Sequence, residues 1–192
     1  MESVCVSQQL LEKYRDINVD HDWWDYIEDD FKHRMERCGI EVQQMYFSGF
    51  WSQGDGACFA GRLSNPLRFL RKHFPKDYPT ARLVIKHGGE VNITSTHQGH
   101  YYHENCTSFS IGYDEPSNVM EQPTEFHEHV VAALTDKMDD EMECFSEQAE
   151  RVFKEYMRQL YKELEQEYDH LTSDEAVTET IIANDLHVTQ GE

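Results

Sequence analysis

The hydrophobic positions of the chain follow a helical period at both ends and alternate in the middle. Residues 1–15 repeat apolar side chains every three or four positions, which predicts a short first helix. Asp20 or Asp22 can cap a second helix, which ends where Gly39 can adopt a left-handed cap. The apolar stripe of this second helix consists of Trp23, Trp24, Ile27, Phe31 and Met35.

The middle of the chain, residues 41–115, reads as mainly β because β-branched and aromatic residues alternate with polar ones. A short helix interrupts this region, opening at Asn65-Pro66 and running to about His73, since proline suits a first helical turn. A tight turn is predicted at residues 87–89. The five predicted strands are 41–47, 57–63, 82–86, 90–96 and 107–113.

Helical spacing returns at Thr124 and continues to about residue 185, with a predicted break at residues 139–141. Thr172 followed by Glu175 is a capping-box pattern, which predicts the start of a last helix. The sequence therefore predicts one α+β domain over residues 1–192. Its antiparallel sheet of about five short strands is packed by N-terminal helices and by a long acidic C-terminal helical region.

The charge of the chain indicates which kinds of partner it can bind. The 192 residues carry a formal net charge of −20. Residues 136–192 hold 17 acidic and 5 basic side chains, whereas residues 62–86 hold 7 basic and 1 acidic. Such acidity opposes direct contact with nucleic acid or anionic membranes and favours a protein with a basic surface. Rows of carboxylates that imitate DNA phosphates are one interpretation, and simple solvation of the helices is the other.

Cysteine use and hydropathy bear on the compartment. The five cysteines are widely spaced and form no C-x-x-C pair, which favours reduced thiols in a cytoplasm over a disulfide framework. No apolar run approaches the roughly 18–20 residues of a membrane span. The N-terminal residues show no basic region followed by an apolar one, so no signal peptide is expected.

The segment YFSGFWSQGDGACFAG, residues 46–61, combines five aromatic residues with four glycines and one charge, Asp55. It lacks the Lys-Ser/Thr and the following helix of a phosphate-binding loop. One interpretation is a hairpin connection whose rings cover one end of the core. The other is a binding surface made by Phe50, Trp51, Gln53 and Asp55. Additional contacts would come from Trp23 and Trp24.

Four potential metal ligands recur at every third position in HQGHYYHENC, residues 97–106. Thiol and imidazole groups are the ligands that zinc prefers, so these residues predict a zinc site or a metal-dependent enzyme as one alternative. On an extended strand every third side chain changes face, so the set converges only if the chain turns at Gly99. The plain alternative is a strand, turn and strand rich in His and Tyr. The four residues are His97, His100, His103 and Cys106.

Three segments carry a family resemblance. They are DINVDHDWWD at residues 16–25, YFSGFWSQGDGACFAG at residues 46–61 and HQGHYYHENCTSFSI at residues 97–111, and the acidic run at residues 159–185 fits with them. The chain resembles a mostly uncharacterised family of small acidic bacteriophage and prophage proteins. These proteins are often labelled "antitoxin of toxin–antitoxin stability system". Residues 63–86 depart from the longer helical insert of that family.

The resemblance implies an accessory protein made in an infected bacterium, and it supplies no catalytic residues. Together with the charge, it predicts a non-enzymatic inhibitor of a host toxin, restriction, CRISPR or other nucleic-acid-binding defence factor. No cofactor is expected under that hypothesis, whereas zinc belongs to the alternative of a metal-dependent protein. A third hypothesis is a structural accessory protein that forms a homodimer through its long helix.

Overall fold

The computed structural model describes residues 6–86, 90–114 and 125–186. In that part of the chain, six α-helices, one 3₁₀ helix and four strands follow one another. In chain order they are α1 (Gln8–Lys13), α2 (Asp25–Cys38), β1 (Ile40–Phe47), β2 (Ala57–Leu63), α3 (Pro66–His73), α4 (Pro79–Lys86), β3 (Glu90–His97), the 3₁₀ helix (Glu104–Cys106), β4 (Thr107–Asp114), α5 (Glu125–Leu171) and α6 (Asp174–Ala183).

The strands form one antiparallel sheet in the order β1-β2-β3-β4. In the first hairpin, Phe47 lies opposite Ala57, and a register shift follows Val42. In the second hairpin, His97 lies opposite Thr107. The α+β class and the antiparallel sheet predicted from the sequence are confirmed, but with four strands in the described residues instead of five.

Two compact units can be distinguished: residues 30–161, here called the sheet unit, and residues 1–29 with 162–192, here called the helical unit. In the sheet unit, aromatic rings join helices to strands. The ring of Phe59 on β2 lies 5.6 Å from that of Phe31 and 5.7 Å from that of Phe153. Phe153 also contacts Phe69 of α3 and Phe109 of β4. All of these rings except Phe109 are fully buried.

The helical unit has its own small apolar core, formed by Leu10 and Leu11 of α1 with Val177 and Ile181 of α6. Polar contacts beside this core join residues 15 and 18 to residues 171–180. Arg15 donates to the carbonyl of Thr172 at 3.0 Å and pairs with Asp174. Asn18 donates to the carbonyl of Leu171 and accepts from the Thr180 hydroxyl, at 2.9 and 2.7 Å.

The prediction of a strand at residues 82–86 is wrong, because these residues belong to helix α4. The carboxylate of Glu141 on α5 accepts hydrogen bonds from the backbone N–H of Thr80 and of Ala81, at 2.9 and 3.1 Å. It also accepts from the Thr80 hydroxyl at 2.7 Å. A carboxylate there binds the unpaired donors of a helix start, so a distant residue decides the structure of this segment.

We therefore expect Glu141→Ala to destabilise the protein by about 1–2 kcal/mol, the usual effect of losing a helix N-cap. The measurement is the free energy of unfolding in urea. Glu143→Ala is the matched control, because Glu143 is an exposed acidic residue on the same helix. Equal stability of the two variants would contradict the proposed cap.

The predicted break at residues 139–141 is also wrong, since α5 is continuous from Glu125 to Leu171. Aspartate costs a helix only up to about 0.7 kcal/mol, and residues 139–141 contain neither glycine nor proline to end it. After these residues, one long apolar stripe of α5 is buried. The stripe consists of Met142, Phe145, Ala149, Phe153, Met157, Leu160 and Leu164, all buried.

The helix ends that depend on neighbouring residues match the sequence more closely. Asn65 caps α3 by accepting from the N–H of Arg68 at 2.9 Å, with Pro66 in the first turn. Gly39 adopts the predicted left-handed conformation, with φ +86°. For α6, however, the capping residue is Ser173, which accepts from the N–H of Ala176, whereas Thr172 bonds back to the carbonyl of Tyr168. The turn predicted at residues 87–89 lies outside the described residues.

Candidate functional site

Two loops meet at one end of the sheet, where β1 and β3 terminate. The β1–β2 loop, residues 48–56, and the β3–β4 loop, residues 98–106, leave the sheet at the same end because the strands form a meander. A Cβ added at Gly54 would lie 2.9 Å from the ring of Tyr101, and one at Gly56 would lie 2.8 Å from the Cα of His103. These two loops, in close contact, are called the hairpin-end surface below.

The first loop is held by its own polar groups. The N–H of Ser48 donates to the carbonyl of Gly56 at 3.1 Å, which closes the hairpin. The carboxylate of Asp55 accepts from the N–H of Ser52 at 2.7 Å, and Gly54 takes φ +94°. The predicted hairpin connection is therefore confirmed, and Asp55, predicted as a binding residue, bonds within the loop.

Trp51 stands out in this loop. Its side chain is 67% exposed, and its backbone φ is +69°, in the left-handed region that a bulky residue rarely adopts. The half-buried ring of Phe50 lies 6.0 Å from the Trp51 indole and 5.6 Å from Tyr161 of α5. Phe50 therefore supports Trp51 from the protein side. Gln53, the remaining predicted binding residue of the loop, is exposed.

The second loop is backed by a stack of rings. Tyr46 of β1 stacks on His97 of β3 and on Tyr102, with centroids 5.0 and 5.7 Å apart. His97 Nε2 lies 3.2 Å from the carbonyl oxygen of Tyr101. The Tyr101 ring itself is 56% exposed. The loop therefore presents the exposed rings of Tyr101 and His100 beside a packed aromatic base.

The four predicted zinc ligands do not converge. His97 is inside the ring stack, and the His100 ring lies edge-on to Tyr101 at 5.4 Å. His103 Nδ1 accepts from the N–H of Asn105 and lies 3.0 Å from a carboxylate oxygen of Glu104. Throughout the described ranges, no three His, Cys, Asp or Glu side chains are arranged to hold a metal ion.

The two tryptophans that directly precede α2 have a different role from Trp51. Trp23 is 8% exposed, and its ring contacts Trp24 at 5.8 Å and Tyr168 at 5.9 Å. Burial, with Asp16 and Asp169 adding to it, raises the pKa of Tyr168. Trp23, predicted as a binding residue, therefore lies in the core of the helical unit, while Trp24 is half-buried beside it.

A family model for a domain of unknown function, DUF8835, matches residues 23–174. The chain belongs to the DUF8835 family. No curated protein and no solved structure matches it. The matched region contains the whole sheet and both loops of the hairpin-end surface, whereas α1 lies outside it and α6 begins at its last residue.

Acidity in this DUF8835 protein is concentrated in the helical unit. Its two segments contain 17 acidic and 3 basic residues, a net charge of −14, against −6 for the longer sheet unit. The middle of α5, residues 148–162, holds two carboxylates and four cations. Two of those cations form ion pairs there, Lys154 with Glu150 and Arg158 with Glu155. The predicted carboxylate row along the C-terminal helix is therefore interrupted.

A second polar cluster of the DUF8835 region joins α2, α3 and α5. The Tyr156 hydroxyl lies 3.1 Å from His73 Nε2 and 3.3 Å from Cys38 Sγ. Burial lowers the pKa of His73, and Lys72 lowers it further. The cluster was missed from the sequence because its members are far apart in the chain. Cys38 is buried, so we interpret the cluster as a structural junction.

The lowered pKa of His73 has a defined sign for stability. The unfolded chain binds the proton more readily than the folded protein, so stability is greatest above the ordinary histidine pKa and falls as the pH drops through it. We expect wild type to lose more thermal stability between about pH 8 and 5.5 than His73→Gln, whose amide can still form a hydrogen bond with the Tyr156 hydroxyl. Parallel melting curves of the two proteins would contradict this assignment.

None of the helices in the described part of this DUF8835 chain combines the length and hydrophobicity that a membrane crossing requires.

Proposed function

We propose that this protein is a non-enzymatic binding protein that inhibits or neutralises a cellular protein with a basic, nucleic-acid-binding surface. In this proposal the hairpin-end surface provides the contact that excludes water, and the acidic helical unit provides long-range attraction. The resemblance to acidic phage proteins extends the proposal to a host target, such as a toxin or a restriction or CRISPR component, in a bacterial cytoplasm.

Trp51 is the observation that carries the proposal. Tryptophan is among the residues that contribute most to protein interfaces, and an indole that is two-thirds exposed leaves a large apolar area in water. Its left-handed backbone stores strain that packing elsewhere has to offset. A strained, exposed tryptophan supported by Phe50 and by a close-packed loop is consistent with selection for contact with a partner.

The charge distribution supports the kind of partner. A helical unit of net charge −14 generates an attractive field for a basic surface and a repulsive field for nucleic acid. Such fields mainly raise the association rate and are screened by salt beyond about 8–10 Å at physiological ionic strength. The proposal therefore predicts association that slows as salt is added and a complex whose lifetime depends on Trp51.

The experiment is capture of partners from a host lysate, followed by binding kinetics with the captured protein. Trp51→Ala is expected to weaken binding by about thirtyfold or more, the effect of losing a hot spot, mainly through faster dissociation. Ile182→Ala is the matched control, because it also truncates an exposed apolar side chain but lies in α6, beyond the matched family region. Captured partners that bind Trp51→Ala as tightly as wild type, with no salt dependence, would overturn the proposal.

A further inference from the structure

The hairpin-end surface carries few charges in an otherwise strongly acidic protein. Its two loops, residues 48–56 and 98–106, contain no lysine or arginine and only two carboxylates, Asp55 and Glu104. Asp55 bonds to the N–H of Ser52. The Glu104 side chain is 14% exposed and lies 3.0 Å from His103 Nδ1 and 3.7 Å from the Arg158 guanidinium. Within the protein, Asp55 is therefore satisfied by a backbone N–H and Glu104 is paired with the Arg158 guanidinium.

Aromatic rings and neutral polar groups remain exposed at this surface. The exposed side chains are Trp51, Ser52, Gln53, Gln98, His100, Tyr101 and Asn105. An acidic or basic peptide would lose the hydration of its charges here without gaining an ion pair, which is unfavourable. The chemistry of the surface therefore selects an uncharged segment that offers apolar area together with hydrogen-bond acceptors.

A polyproline II segment has these properties. Its proline rings are apolar and rigid, and its backbone carbonyls make no hydrogen bonds within the segment. Aromatic-lined surfaces recognise such segments by packing rings against proline, while side-chain donors of Trp, Tyr, Gln and Asn bind the carbonyls. Because the segment is preformed, little conformational entropy is lost on binding.

The surface is also rigid, as this mode of recognition requires. Gly54 and Gly56 allow the first loop to lie directly on Tyr101 and His103, where a side chain would collide. The second loop rests on the stacked rings of Tyr46, His97 and Tyr102. The exposed rings of Trp51 and Tyr101 thus lie on two loops at the same end of the sheet, and packed neighbours hold each of them in place.

We propose that the hairpin-end surface binds an uncharged, proline-rich segment of the partner in the polyproline II conformation. This inference rests on the proposed function, because it names the partner chemistry recognised at the same surface.

The test is a ¹⁵N NMR titration of the full chain with a panel of neutral peptides of about ten residues that carry proline at every second or third position. The expected result is a set of shifts concentrated in residues 48–56 and 98–106 for at least one peptide. Binding should weaken at least tenfold in Trp51→Ala and when all prolines of that peptide are replaced by alanine, and it should persist in Ile182→Ala.

Three results would overturn the inference. The first is that no peptide of the panel binds at millimolar concentration, and the second is that the alanine peptides bind equally well. The third is that a neutral oligosaccharide, titrated in parallel, or a second copy of the chain, detected by light scattering, occupies the surface instead. If Trp51→Ala still reduces capture from lysate in these cases, the proposed function stands without this partner chemistry. If it does not, both fail.

Discussion

Replacing Phe153 with alanine is expected to destabilise the protein by about 3–5 kcal/mol, the usual range for removing a buried phenylalanine. Phe153 is fully buried on α5, and its ring lies within 6.0 Å of those of Phe59, Phe69 and Phe109. The substitution therefore opens a cavity between α5, the sheet and α3, which all contact the Phe153 ring. The free energy of unfolding, measured in urea by circular dichroism, tests it.

Two comparisons make this result specific. Phe153→Leu should cost less than half as much, because most of the apolar volume is retained. Arg151→Ala on the same helix should change stability by less than about 0.5 kcal/mol, since Arg151 is exposed. A loss of under about 1 kcal/mol for Phe153→Ala would show that this ring cluster is not the centre of the core.

The second large effect is expected at Gly39, between α2 and β1. Its φ of +86° is strained for any residue with a side chain, and an added Cβ would lie 2.4 Å from the backbone oxygen of Asn65. The Gly39 carbonyl also accepts from both N–H groups of Ser64 and Asn65 and from the Ser64 hydroxyl. We expect Gly39→Ala to cost about 2–4 kcal/mol, because left-handed strain of about 1–2 kcal/mol adds to a backbone collision.

Gly112→Ala is the control for this prediction. Gly112 lies in β4, its φ is not positive, and an added Cβ would meet no atom within 4 Å. Thermal melting of the two alanine variants should therefore separate them clearly, with only Gly39→Ala melting well below wild type. If the two variants have the same melting temperature, the backbone at Gly39 tolerates a Cβ and the prediction is wrong.

Local sequence signals predicted the elements whose ends are set by adjacent residues. Asn65 and Pro66 lie at the start of α3, and Gly39 follows α2, as their side-chain chemistry requires. Helix α4 could not be predicted in this way. Its first turn is capped by Glu141, about 60 residues later in the chain. Without that contact, the apolar and β-branched residues at 82–86 favour a strand.

The candidate surface shows the same limit. Composition identified residues 46–61 and 97–106 as unusual and named Phe50 and Trp51. These two segments meet at one end of the sheet because of the strand order, which no local sequence pattern contains. Spacing also could not show that the His97 ring packs against Tyr46 and Tyr102, or that Trp23 is buried while Trp51 is exposed.

The division of the chain has a consequence for its synthesis. The helical unit is assembled from residues 1–29 and 162–192, which are separated by the 132 residues of the sheet unit. At about 5–20 residues per second, a ribosome needs on the order of ten seconds to translate that interval. The whole sheet unit is therefore translated before Leu10 and Leu11 can pack against Val177 and Ile181. A chain that stops before residue 162 would lack nine of the 17 acidic residues of the helical unit and would leave its first segment without a partner core.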